Sequence, residues 1–325
     1  ATLEDVNGTI NGDSVLSASD GSELTAIAGA VSFGGKAGIG AAVALNSINN
    51  PTAATISGSI LSQTGLLTLE AVSDATIESI TSSAGLSQNN AGVAGTVSIN
   101  EISNTVEASV TATQQAAGVP LSAGAISLSA RDGTTIRAIS GAVGVSKNIG
   151  FGAAVSYNAV NNTVSAHVDS SSIDTTGSLS LAAESTSLIE TITVGVAGGK
   201  SLGLSGSVSL NSITNTVDAY IGNNADIEAS DVSLSASDTS TVKVIAGGVA
   251  IASSAAIGAA VAINDVDNTI TASVDAATVT TTGALSLSAT SDAGLDTLAV
   301  GGAVSGTFAG AGSVSLNDIA NTVEA

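Results

Sequence analysis

The chain repeats itself, and that restricts its fold more than any other feature. The unit Asn, any residue, aliphatic, any residue, Asn occurs from Asn46 to Asn50, Asn100 to Asn104, Asn158 to Asn162, Asn211 to Asn215, Asn264 to Asn268 and Asn317 to Asn321. Successive copies are 54, 58, 53, 53 and 53 residues apart. A second unit recurs between them: GLLTLEA from Gly65, GAISLSA from Gly124, GSLSLAA from Gly177 and GALSLSA from Gly283, with SDVSLSA from Ser230 and GDSVLSA from Gly12 as variants. The repeat of about 53 residues fills 1–325 six times over as one continuous unit and leaves nothing for a separate domain. Units repeated at such a period bury their faces against their neighbours, so the core grows along one axis.

Within each copy, apolar residues alternate with small or polar ones, as in Ile126-Ser127-Leu128-Ser129-Ala130 or Thr216-Val217-Asp218-Ala219. That is the period of a half-buried strand, and Val, Ile and Thr favour strands over helices. The expected fold is all-β, a parallel β-helix or β-solenoid of six repeats. Each period divides into two coils of roughly 26 residues, one carrying NTVxAxV and GxLSLSA, the other carrying runs such as IAGGVA and GAAVALN. A dozen coils stacked about 4.8 Å apart would make a rod on the order of 58 Å long.

The twelve anchor asparagines, Asn46, Asn50, Asn100, Asn104, Asn158, Asn162, Asn211, Asn215, Asn264, Asn268, Asn317 and Asn321, are read as a structural turn ladder. Asparagine tolerates turn conformations, caps free backbone groups and stacks on itself. A calcium site built from turn carbonyls with Glu101, Asp265, Asp267 or Asp318 is the weaker alternative, because those acids change from copy to copy. The sequence indicates no cofactor. The long spacing comes from an insertion at Thr113 to Pro120, which reads as a loop. Val244 to Ile263 is uncharged and could be taken for a membrane span. Its counterparts carry Lys36, Lys147 and Lys200, so strand, turn, strand is the better parse and no membrane span is expected. The Ala and Gly of runs such as Gly40 to Leu45 suit a narrow interior between sheets, or alternatively a flat face for lateral association.

Charge and composition narrow the functions. Six Lys and Arg against 27 Asp and Glu give a net charge of -21, which repels phosphate backbones, so nucleic acid is not an expected partner. Cysteine is absent, excluding disulfides and thiolate metal sites. His167, the only histidine, occupies a variable outward position matched by Ser109, Tyr220 and Ser273. Arg131, Arg137 and Asp132 share one copy and are the only candidates for binding a sugar acid in an enzyme groove.

Recurring GxLSLSA and NxIxNTV units with Ala/Gly-rich runs and no Cys resemble the repeat regions of giant bacterial surface proteins, the filamentous-haemagglutinin-like adhesins and leukotoxin-like exoproteins. The resemblance covers the whole chain and implies secretion, a β-helical stalk, and adhesion, biofilm matrix formation or filament building. The expectation is a structural, non-enzymatic segment at a bacterial surface, cut from something longer and self-associating end to end or laterally. A module binding a host or neighbouring cell surface is the alternative, and a polysaccharide-active enzyme a remoter one.

Overall fold

A computed structural model describes residues 1–113 and 119–325. The described part is all-β with parallel sheets and contains no helix. One repeat contributes four strands, seen in the fourth copy as Thr163–Asp169 (sheet A), Ser172–Thr175 (sheet B), Leu179–Gly199 (sheet C) and Leu202–Ile213 (sheet D). Each strand pairs in parallel with its equivalents one period earlier and one period later, so Val164 lies between Val106 and Val217, and Asn158 between Asn100 and Asn211. Sheets A and C each run through seven strands, and B and D through six.

This pairing corrects the division of the period into two coils. Neighbouring strands lie a full period apart, 53, 54 or 58 residues along the asparagine row of sheet D, so each repeat makes one winding. Six windings at about 4.8 Å span about 29 Å. The physical reason lies in sheet C, whose strand is continuous from the GAISLSA unit into the next apolar run, as Ala125–Ser146. The expected second coil is an excursion: the far half of C turns back at the tip and D stacks on it.

The winding has two parts with different interiors. Sheet A, sheet B and the first half of C enclose a three-sided aliphatic core, represented by Val106, Ala108, Val110, Leu121, Ile126 and Leu128. The far half of C and sheet D form a two-layer blade. At its root Ile77, Ile136, Ile189, Ile102, Val160 and Ile213 pack together. Beyond the row of inward asparagines and Val244, every inward position toward the tip is Gly, Ala, Ser or Thr, and the layers touch backbone to backbone. A Cβ built on Gly144 would strike the carbonyl oxygen of Phe151, and one on Gly248 the carbonyl of Ala259. Gly248→Ala should therefore lower stability by about 2 kcal/mol, read from the denaturation midpoint, because neither backbone can yield without parting the layers.

The corner between sheets A and B takes a left-handed residue in each winding, Asp5 (φ 53), Gly58 (φ 59), Ala112 (φ 51), Ser170 (φ 48), Asn223 (φ 50) and Ala276 (φ 49), with Asn224 (φ 64) a second one in the fifth. Alanine is poorly suited there, since its Cβ crowds the following carbonyl. Ala276→Gly should raise stability by up to about 1 kcal/mol in thermal melting, whereas the same change at a right-handed position would lower it. The insertion at Thr113 to Pro120 falls in this corner of the third winding, and its residues 114–118 lie outside the described residues. Val244 to Ile263 is strand, turn, strand, divided between Val232–Ala252 and Ala255–Val266. No described helix is long and apolar enough to cross a membrane.

Candidate functional site

The anchor asparagines form two ladders with different roles. Asn46, Asn100, Asn158, Asn211, Asn264 and Asn317 lie within D strands and point inward, rather than at turns. Each amide donates to the side-chain oxygen of the next: Asn46 to Asn100 at 2.7 Å, Asn100 to Asn158 at 2.7 Å, Asn158 to Asn211 at 2.7 Å, Asn211 to Asn264 at 2.8 Å and Asn264 to Asn317 at 2.8 Å. Sheet C closes this ladder from the other layer, where Thr191 Oγ1 donates to Asn211 at 3.0 Å and Thr297 Oγ1 to Asn317 at 2.9 Å. Amide stacking of this kind satisfies buried polar groups along the whole axis.

The second set does sit at a turn, where the chain leaves D for A. Asn104, Asn162, Asn215, Asn268 and Asn321 each accept, through the side-chain oxygen, the backbone N–H of the equivalent asparagine one winding earlier. Their amides reach across to sheet C and meet a column that alternates strictly in register: Asp20, Ser73, Asp132, Ser185, Asp238, Ser291. Asn162 donates to Asp132 Oδ2 at 2.7 Å, Asn268 to Asp238 Oδ2 at 2.7 Å and Asn321 to Ser291 Oγ at 2.7 Å. This lock pins the D-to-A turn to sheet C where the aliphatic core meets the blade.

Alternation keeps the carboxylates two windings, about 9.6 Å, apart. Adjacent buried carboxylates would stand at half that distance and repel each other strongly. Burial still dominates. Asp132 is 3% exposed, and desolvation pushes its carboxyl up to about 6 against hydrogen bonds from Thr134, Asn104 and Asn162 that pull it down. Burial raises Asp238 in the same way, against Ser240 and Asn215. The column escaped sequence reading because its superperiod is two repeats, so Asp against Ser looks like ordinary variation.

The residues considered for catalysis do not converge. Arg131 and Arg137 lie on the outer face of sheet C, while Asp132 points inward. Arg131 pairs with Glu184 at 3.0 Å, and Arg137 with Glu78 at 3.4 Å and Glu190 at 3.2 Å. Lys243 also reaches Glu190, at 3.4 Å. In register, Glu78, Arg137, Glu190, Lys243 and Asp296 make a column of alternating sign along the outside of sheet C. Arg137 and Lys243 together hold the Glu190 carboxyl below its ordinary range.

His167 shares its outward column with Ser109 and Tyr220, but it is only 8% exposed. Its ring stacks on Tyr220 at 4.7 Å, and Nε2 lies 3.7 Å from Glu107. Desolvation lowers its pKa, against the pull of Glu107, Asp169 and Asp218. Asp265 and Asp318 are register neighbours on the outer face of D. No group of three or more His, Asp or Glu that could hold a metal ion occurs among the described residues. Comparison with protein-family models, curated proteins and solved structures finds no match for this chain.

Proposed function

We propose that the chain is a structural segment, a β-solenoid rod that serves as a stalk or filament-building part of a large bacterial surface adhesin or matrix protein outside the cell. The observation that carries this reading is where the strict positions lie. The residues repeated in every copy include the two asparagine columns and the Leu128 and Ala130 columns of the aliphatic core, which hold one winding to the next, and the Val155 column on the outer face of sheet D. Asp132, Arg131 and Arg137, the candidates for chemistry, are tied up in the lock or in cross-strand pairs. A part whose repeats contact only their neighbours adds length without adding a new core. Negative-stain microscopy of this segment and of its tandem duplicate tests the role. A stalk lengthens from about 29 Å to about 58 Å at constant width. Duplicates that collapse into globular particles would contradict it.

A further inference from the structure

The outer face of sheet D has no cover within the chain. Its apolar columns stand in register: Val43, Val97, Val155, Val208, Val261 and Val314 form one, and Leu45, Ile99, Tyr157, Leu210, Ile263 and Leu316 another. Between the tip turn and the column of Ser47 and Glu101 this face carries no charge. Six windings by ten residues cover about 29 Å by 33 Å, roughly 950 Å². That exceeds the apolar patch a lone soluble chain usually shows and matches the roughly 800 Å² that each partner gives to a stable interface.

We infer that this face binds the same face of a second copy of this chain, with the two stacks parallel and related by a two-fold axis along their length. Three features fall into place in one registration. Between the Val ridge and the next aliphatic column runs a furrow of Ala41, Gly95, Ala153, Gly206, Ala259 and Gly312. An axis between furrow and ridge sets each Val column into the partner's furrow. The furrow glycines have no reason within the chain, since a Cβ on Gly95, Gly206 or Gly312 meets nothing within 4 Å. Glycine inside a strand weakens it and often marks close approach by another backbone.

The same rotation carries the tip of one blade over the root of the other. The tip turns hold Lys36, Lys147 and Lys200, while the root column holds Glu101, Asp265 and Asp318. None of these six forms an ion pair among the described residues. Lys36 lies on the winding before that of Glu101, and Lys200 on the winding before that of Asp265, an offset of about 4.8 Å that a lysine stem spans. A lysine beside Asp265 and Asp318 also relieves two like charges on neighbouring strands. Sheet C does not compete for this role: the charges at its root neutralise one another in their own column, and its outer face has no continuous furrow, since Gly141 is followed in register by Val194.

Sedimentation equilibrium of the 325-residue chain tests the pairing. A dimer is expected, with its Kd raised about 100-fold or more by Val155→Arg with Val208→Arg. Val143→Arg with Val196→Arg on the outer face of C should leave it unchanged, and melting curves establish that all variants fold. Lys36→Glu, Lys147→Glu and Lys200→Glu together should raise Kd about tenfold, and adding Glu101→Lys, Asp265→Lys and Asp318→Lys should restore it. A monomer at 100 µM (about), disruption by the C-face pair instead, or failure of the charge swap to restore pairing would overturn the inference. So would a monomer that floats with phosphatidylcholine and phosphatidylglycerol vesicles, which would assign the face to lipid.

Discussion

Asn211→Leu should remove about 4 kcal/mol of stability in denaturant unfolding, while the same change at Asn317 should cost less than about 1 kcal/mol. Asn211 accepts from Asn158 and Thr191 and donates to Asn264 and Ser209. A leucine there strips a partner from several buried groups at once, each left unsatisfied at about 1–3 kcal/mol before relaxation. Asn317 occupies the last winding, is exposed, and has water as a substitute partner. Equal losses at both positions would mean that the ladder acts through side-chain shape and that its hydrogen bonds contribute little.

Acidification should stabilise the fold through Asp132, opposite in sign to ordinary acid denaturation. The unfolded carboxyl titrates near 3.8 and the folded one near 6. Below the lower value both states are protonated and the stabilisation is fully present. Between the two values unfolding releases a proton, so stability falls as pH rises, and above the folded value the loss is complete at about 3 kcal/mol. Asp238, raised by the same burial, acts in the same direction. Asp132→Asn keeps the shape of the side chain and removes the titration. The variant should exceed the parent by up to about 3 kcal/mol at pH 7.5 (about) and match it near pH 3.5 (about). Parallel pH profiles for the two proteins would show that the carboxylate is not held in a desolvated lock.

These two results bear on how the windings are held. The ladder stitches each winding to the next within sheet D, and the lock ties the D-to-A turn to sheet C. Together they carry polar groups through an interior that the small blade residues fill only thinly. A core of Gly, Ala, Ser and Thr gives little hydrophobic stabilisation per residue, so the backbone pairing and the buried amides bear a larger share there than in the aliphatic core.

Much of this architecture was legible in the residues. The period, the strand alternation and the strand-turn-strand form of Val244 to Ile263 all follow from spacing. The number of coils per period did not, because alternation marks strands without saying whether a strand-turn-strand run closes a coil or folds back on itself. Two clues pointed to the second outcome. The alternation keeps its parity from Leu128 through Ala130 to Ile136, with no residue gained or lost at Asp132-Gly133 where a coil boundary would fall, and the inward Gly and Ala of the blade leave no room for a lumen. The in-strand asparagines look like turn residues for a related reason: Asn46 and Asn50 are both strictly repeated, and only the parity of Ile48 between them shows that Asn46 faces inward within a strand. The alternating Asp and Ser column was invisible at a period of one repeat and becomes plain at two.

One winding per repeat is the claim on which the ladders, the lock and the dimer face all depend, and disulfide trapping reads it directly because the chain has no cysteine of its own. Ser180 and Ser233 are register partners on the outer side of sheet C, as are Ser233 and Ser286. One winding per repeat puts the first pair about 4.8 Å apart between Cα atoms, within the range a disulfide spans, and puts Ser180 and Ser286 about 9.6 Å apart, beyond it. Dilute oxidation should close Ser180→Cys with Ser233→Cys into an intrachain bridge and leave Ser180→Cys with Ser286→Cys reduced. If the first pair stays reduced, and Ser180→Cys instead bridges to a cysteine half a period away, near position 206, the repeat makes two windings and the account is wrong.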